Sequence, residues 1–550
     1  MHALLCCLAL LAASDEKYQT WVAEPSGLTE LPSEGSAQRL LPHEVSRLFD
    51  SCPTLPHVSL SVGVRDREGG IWLGSRSGLM YLQKGAMRWR LFHSRRWLPA
   101  DDVQAISITS AGEILVKTSA GVGKLSRRQT SLEQKMARLE TALQKYHVRD
   151  GFICTAELAE AGNLQTAHIE STNDNDGLWT SLYVASEAFR YGVTRDPVAK
   201  KNARRSLDTL MFLERISGIP GFCARSVVPI GDDPKRYGGE WHRSADNQWW
   251  WKGDTSSDEV VGHYFAYSVY HDLAADAGEK EEIARYVTRI TDHILDHGLT
   301  YVGPPGKPTT WGVWSPEKLN GDLLRFGDRG LNSLEILSHL KVAEYITRNA
   351  RYTEKLKELI DKHSYHINTV GQKQVWPPEF VNHSDDELAF LSYYPLVIHE
   401  RDPRLREIYM AGLRRSWLIE RPEQSPLWNF IFGAGLQADK WTDPTQRPPA
   451  GLVAPGEYDQ QVCLEWLRDV PEDTIRWSVT NSNRRDVAIV GSNRFRHLRS
   501  KSVLPVFERP IMRWNGDPYT LDGGEGGGSR DDGVPILLPY WMGQWHRLLD

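Results

Sequence analysis

In WWWKGDTSSDE (Trp249–Glu259), three tryptophans and a glycine stand before a cluster of carboxylates and hydroxyls. A helix start uses one such oxygen as its N-cap, and acidic side chains are favoured at the positive end of the helix dipole. Asp254 to Ser257 suffice for that role, which leaves Asp258 and Glu259 in surplus. The same surplus recurs in NDNDG (Asn173–Gly177) and NHSDDE (Asn382–Glu387). Helical spacing picks out Asp254 with Asp258, Glu259 with His263, and His383 with Glu387 as i,i+4 pairs, with Asp386 beside the last. Carboxylates drawn from different elements suit acid–base chemistry, in which one acid protonates a leaving oxygen and one carboxylate activates water from the opposite face. Asp176, Asp258 and Asp386 are the first candidates, with Asp254, Glu387, Asp385 and His383 as neighbours able to take those roles.

Two other chemistries draw on the same residues. Elimination from a sugar acid needs a cation beside the carboxylate and a Tyr, His or Lys base, which His383, Tyr393, Tyr394, His263, Arg325 and Arg329 could supply. Metal binding by a Glu/His pair lacks a third ligand in the sequence. Calcium at Asp174–Gly177 is the better metal option, although the later Glu of a calcium loop does not fall in register. No other cofactor is expected. GxSxG, HExxH and a cysteine nucleophile context are absent, and the Gly-rich stretch near the C-terminus has no GxxxxGK[ST].

These residues must be held by helices. From Ser131 onward apolar residues recur with helical period, near 131–147, 177–191, 196–216, 258–275, 279–297, 330–348, 351–366, 384–398, 402–417, 425–437, 456–469 and 533–548. Twelve helices pair as six hairpins, which predicts a mainly α fold, an (α/α)6 toroid spanning 130–550. If the second helix of each hairpin is the inner one, all six polar helix starts fall at one mouth. Aromatic residues near those starts could stack on sugar faces: Trp249, Trp250 and Trp251, then Trp179, Trp376 in VWPPEF, Tyr393 and Trp428. Arg325 and Arg329 precede another start. Trp514 and Trp541 flank the Gly-rich stretch, which is expected to close over the mouth as a lid rather than act as a linker.

Before the helices, 59–125 reads as short strands. Val62–Leu82 and Ile106–Leu125 align as strand, Gly turn, strand, with Gly70 matching Gly112 and Gly78 matching Gly121, 42 and 43 residues apart. That is a propeller-blade period. Two blades cannot close a propeller, so the region must lean on the helical part or on another chain. Residues 15–58 are expected to be a linker. Residues 1–14, with the apolar run Ala3–Ala13, read as a signal peptide, which predicts a secreted or periplasmic protein.

The chain has 550 residues and a net charge of −6, which offers no basic field for nucleic acid, and no later stretch reads as membrane-spanning. Cys52, Cys154, Cys223 and Cys463 are too scattered for a disulfide framework, and buried thiols are expected. Twenty Trp and twenty Tyr suit a surface that binds an oligo- or polysaccharide.

Three resemblances add to this reading. Asp66, Gly69, Ile71, Trp72, Gly74, Gly78 and Leu79 resemble the two-component-regulator propeller repeat. The helical region resembles the six-hairpin glycosidase superfamily in architecture. Through NDNDGLWTS, WKGDTSSDE, NHSDDELAFLSYYP and the terminal ERPIMRWNGDPY to QWH, it is similar to a widespread, poorly characterised bacterial family. The superfamily resemblance implies a carbohydrate-active enzyme, with glycoside hydrolysis expected, on a glycan that could contain uronate. A polysaccharide lyase and a non-catalytic glycan-binding or sensor module are the alternatives.

Overall fold

Asp66 illustrates how local chemistry builds the N-terminal sheets. Its carboxylate accepts hydrogen bonds from Gly70 N at 2.7 Å and Trp72 Nε1 at 3.1 Å, closing a turn and orienting the Trp at once. In the computed structural model, which describes residues 16–31, 38–41, 43–45, 47, 54–373, 381–454 and 456–550, this turn recurs at Thr109. Gly69 (φ +88°) and Gly112 (φ +82°) occupy equivalent left-handed positions, as do Gly78 (+128°) and Gly121 (+124°). Gly112 thus corresponds to Gly69 rather than to Gly70, and both intervals are 43 residues. A Cβ on Gly70 would meet Asp66 Oδ2 at 2.6 Å, so the close approach excludes a side chain there.

The first sheet runs β2 (Gln38–Arg39), β3 (Leu60–Arg65), β4 (Ile71–Ser75), β5 (Gly78–Leu82) and β6 (Arg90–Phe92). The second has the order β1 (Tyr18–Pro25), β9 (Gly121–Thr130), β8 (Ile114–Thr118) and β7 (Ala105–Ile108). Residues 15–58 are therefore more than a linker. Their first part supplies β1, which pairs with Gly123 to Thr130 of β9 and covers an edge that would otherwise stay open. Trp21 of β1 packs edge-on to Trp72 at 5.3 Å in the shared core of the two sheets.

The sheets rest on the C-terminal segment. Glu508 accepts from Leu91 N at 3.0 Å, Arg96 donates to the Ile475 carbonyl at 2.9 Å, and Arg90 pairs with Asp469 at 2.9 Å.

The rest of the described chain is mainly helical, with small sheets between helices. The helices of ten or more residues are α1 (Leu132–Tyr146), α2 (Asp176–Thr194), α3 (Pro197–Ile216), α4 (Ser257–Leu273), α5 (Ala277–Asp296) and α6 (Arg329–Thr347). They continue with α7 (Ala350–Asp361), α8 (His383–His399), α9 (Pro403–Glu420), α10 (Pro426–Gln437), α11 (Gln460–Asp469) and α12 (Val534–Trp545). The expected helix over 351–366 stops five residues early, and Ser364 turns left-handed at φ +57° before a short turn of helix.

The even-numbered helices are buried on nearly all sides. In α8 only Ser384 and Asp385 escape full burial, and α12 is apolar around its whole girth. The odd-numbered helices are amphipathic, as in α5, where Ile283, Tyr286, Val287, Ile290 and Ile294 form the single buried stripe. Packing follows this division. α2 packs on α4, α4 on α6 and α8, α6 on α8, α8 on α10, α10 on α12, and α12 back on α2. The odd-numbered helices lie against this closed circuit.

α2 and α4 meet closely because Gly177 has no side chain; a Cβ there would stand 2.0 Å from Glu259 Oε2. Cys154, Cys223 and Cys463 are buried free thiols, and Cys52 lies outside the described residues. No described helix is long and apolar enough to cross a membrane.

Candidate functional site

The starts of the six even-numbered helices converge. Asn175, the N-cap of α2, donates from Nδ2 to Asp258 Oδ2 in the first turn of α4 at 2.9 Å. Residues at the starts of α4, α6 and α8 line one cavity of about 550 Å³. The His383 ring at the start of α8 lies 3.5 Å from Glu423, just before α10. A second, mostly apolar cavity of about 100 Å³ joins Ser425 at the start of α10 to Gly533 and Ile536 at the start of α12. Arg513 closes the circuit, with its guanidinium 4.2 Å above the Trp179 ring of α2 and 3.8 Å from Asp532.

The large cavity is the polar one. Asp258 and Asp385 are half-buried in its wall, together with Arg225, Asp328 and Asn332, and the exposed Trp311 stands on its rim. Asn382 Nδ2 donates to Asp385 at 2.6 Å. Burial pushes the Asp385 carboxyl up to about 6, against the attraction of Lys373, and the charge of Asp258 adds to the rise.

Two glutamates lie buried behind the wall. Glu335 accepts from Trp314 Nε1 at 2.9 Å, and Glu387 sits one residue beyond Asp386. Burial pushes both up to about 8, again with a contribution from Asp258. One oxygen of each has no hydrogen-bond partner among the described residues.

The other expected acid–base residues are placed differently. Asp176 is fully buried and accepts from Thr172 Oγ1 (3.1 Å), Asn173 N (2.8 Å) and Val227 N (3.3 Å), with Arg149 at 3.5 Å. Its carboxylate serves the start of α2 and does not line the cavity. Asp254 is exposed, accepts from Glu240 N at 3.0 Å, and lies outside the lining. Asp386 reaches the cavity floor, but both its oxygens lie 2.5 Å from Lys373 Nζ, which also contacts Glu420 at 2.6 Å. Lys373 is held charged by these two carboxylates.

His383 Nδ1 lies 3.7 Å from Asp386, and Nε2 lies 3.5 Å from Asp517. His383, Glu420 and Glu423 present donor atoms within 4.8 Å of one another, a set whose chemistry would suit a metal ion. The Lys373 ammonium already supplies a cation to Glu420 there. At the calcium candidate, the Asp174 carboxylate contacts Lys252 and Arg225 instead, and Asp176 is turned inward.

Trp249, Trp250 and Trp251 form a strand (Trp249–Lys252) between strands 227–229 and 241–243. Trp251 enters the core, Trp249 packs on Phe212 at 5.5 Å, and Trp250 lies 4.8 Å below the Arg243 guanidinium. None of the three lines the cavity. Trp428 stacks on Phe390 at 4.6 Å and donates to Glu423 at 3.2 Å, and Tyr393 donates to the Thr369 carbonyl at 2.8 Å. Trp541 is buried and Trp514 lines the smaller, apolar cavity. Arg325 pairs with Asp328 at 2.9 Å, Arg329 donates to the Leu319 carbonyl at 2.7 Å, and Trp376 lies outside the described residues.

Sequence reasoning missed Trp311, Arg225, Lys373, Glu335 and Arg494. Only Lys373 and Trp311 had a signal, Lys373 in the segment before α8 and Trp311 on the strand Lys307–Val313 that precedes α6. The Gly-rich stretch is stitched into structure, since Ser529–Arg530 pairs with Ala156–Leu158 and Val479 bridges Gly523. No protein-family model matches the chain, and a search of the curated proteins finds none similar to it.

Proposed function

We propose that the chain is an exported glycoside hydrolase whose helical part is an (α/α)6 toroid of the six-hairpin type. The closed packing circuit of even-numbered helices and the convergence of their starts support the architecture. Asp258 and Asp385 carry the functional reading, because they reach one polar cavity of about 550 Å³ from different helices. Asp385, pushed up to about 6, is the general acid that protonates the departing glycosidic oxygen. Asp258, oriented by Asn175, is the carboxylate that assists from the other side of the sugar. Trp311 on the rim offers a face on which a sugar ring can stack. The apolar start of the chain supports export.

Elimination is the weaker reading. Tyr393 is committed to Thr369, Tyr394 to His546 at 2.9 Å, and both nitrogens of His263 to backbone carbonyls. The test is reducing-sugar release from a panel of polysaccharides by the wild type, Asp258→Asn and Asp385→Asn, with ultraviolet absorbance followed in parallel. Release that both substitutions suppress supports hydrolysis. New absorbance from an unsaturated uronate would replace it with elimination, and glycan binding without turnover would leave a binding module.

A further inference from the structure

A third cavity of about 220 Å³ adjoins the large one. Val381 and Arg494 belong to the walls of both, so the two form neighbouring compartments on either side of one arginine. The far compartment has Phe495 and His497 in its wall, and Phe495 is 64% exposed, enough to offer a ring face to a ligand.

Arg494 is placed by a built turn. Asn493 Oδ1 accepts from Phe495 N and His497 N, both at 3.0 Å, and Asn493 Nδ2 donates to Asp517 Oδ2 at 3.1 Å. Asp517 in turn lies 3.5 Å from His383 on α8 and 2.8 Å from Arg499. The turn is thereby tied to the helix that carries Asp385. The guanidinium of Arg494 lies 4.7 Å over the Phe495 ring, which limits its freedom.

The cations around the large cavity differ in what they already hold. Lys373 is engaged by Asp386 and Glu420, and Arg225 by Asp174. Arg494 has no carboxylate within 4 Å among the described residues, although its charge is felt at Asp385. An exposed, stacked guanidinium between two compartments is suited to bidentate capture of a planar carboxylate. The two carboxylates in the wall of the far compartment already have partners, Asp517 in Asn493 and Arg499 and Asp522 in the backbone N–H groups of Asn481 and Ser482.

We propose that the far compartment is a second sugar subsite and that Arg494 binds the carboxylate of a uronic acid unit, so that the chain takes an acidic oligosaccharide spanning both compartments. Phe495 stacks on the adjoining ring. This rests on the carbohydrate reading of the large cavity, but it concerns binding and can be measured apart from turnover.

The probes are a galacturonate tetramer, a mannuronate tetramer and a hyaluronan tetrasaccharide, each compared with its carboxyl-reduced neutral form. Binding to the full chain is followed by calorimetry in the Asp258→Asn background, with and without Arg494→Gln or Phe495→Ala. At least one acidic tetramer is expected to bind tenfold or more tightly than its neutral form, and Arg494→Gln is expected to abolish that preference while leaving the neutral form within twofold. Phe495→Ala is expected to weaken the tetramer at least threefold and to leave the corresponding disaccharide unchanged. All three side chains are at least partly exposed, and circular dichroism verifies that each variant is folded. The proposal is overturned if no acidic tetramer binds better than its neutral form, if the preference survives Arg494→Gln, or if Phe495→Ala affects disaccharide and tetramer alike. Arg494-dependent binding without turnover in the wild type would defeat the hydrolase reading alone. Turnover restricted to neutral glycans would defeat this proposal alone.

Discussion

The Asn175 side-chain amide stands 2.9 Å from Asp258 Oδ2 and so joins the starts of α2 and α4 across one wall of the polar cavity. Asn175 makes no capping bond through Oδ1, which is buried without a hydrogen-bond partner among the described residues, and the contact to Asp258 is made by the Nδ2 donor alone. Asn175→Ala removes the group that orients Asp258 while leaving the cavity lining in place. Turnover is expected to fall about tenfold to a hundredfold with KM nearly unchanged, since a misplaced catalytic group costs on that order. A change in KM alone, read from initial rates on a responsive glycan, would contradict the positioning role.

Asp385 acts in its protonated form under the proposed chemistry. Its value of about 6 means that this form is depleted as pH rises. The rate is therefore expected to fall about tenfold per pH unit above that value. Asp385→Asn should flatten this alkaline limb and lower the maximal rate by about 10²–10⁴. A full pH–rate profile of both proteins checks the point.

Glu335 and Glu387 make a separate pH prediction, for stability. Each titrates near 8 in the fold against an ordinary value near 4.5, so the folded chain binds more protons than the unfolded chain between those values. Stability is highest below that window and is lost as pH rises through it, by about 1.4 kcal/mol per unit per group at most. Glu335→Gln and Glu387→Gln keep the neutral shape, so each should flatten the slope and stabilise the protein at pH 8. Urea midpoints across pH 5–9 measure this.

Gly177 is required by packing. Because a methyl group there would meet Glu259 Oε2 at 2.0 Å and His263 Cε1 at 3.0 Å, Gly177→Ala should destabilise by about 1–3 kcal/mol. Ala is otherwise the better helix former, so a stabilised variant in the same urea assay would refute the close approach.

Glu508 bridges the two parts of the molecule. It accepts from Leu91 N of the first sheet at 3.0 Å and pairs with the fully buried Arg484 at 2.6 Å. Glu508→Ala removes one of the two carboxylates on that guanidinium, leaving Asp486 at 2.8 Å, and takes the acceptor from Leu91 N, at a cost of about 1–3 kcal/mol. Proteolysis is expected to quicken within 54–130 while the helical signal persists, and unchanged cleavage would show that the sheets do not depend on this contact.

Much was legible in the sequence because it is local. The apolar period set the helices within a few residues, capping chemistry marked their starts, and the turn glycines disclosed a repeat of 43 residues. The shared polar character of the helix starts also marked them as one group, since alternate helices in a series of hairpins begin at the same end. Tertiary structure alone decided which surplus carboxylates reach the cavity. Successive residues of a helix point about 100° apart, so Asp385 reaches the cavity beside the Asn382 amide while Asp386 is drawn to Lys373, and the neighbours of each helix set that rotation. Asp176 and Asp258 open equivalent helices, yet Arg149 and the backbone of Val227 draw the first inward, whereas Asn175 holds the second at the cavity. Arg494 left no trace in the sequence, because the turn that aims it is anchored through Asp517 to a helix more than a hundred residues away.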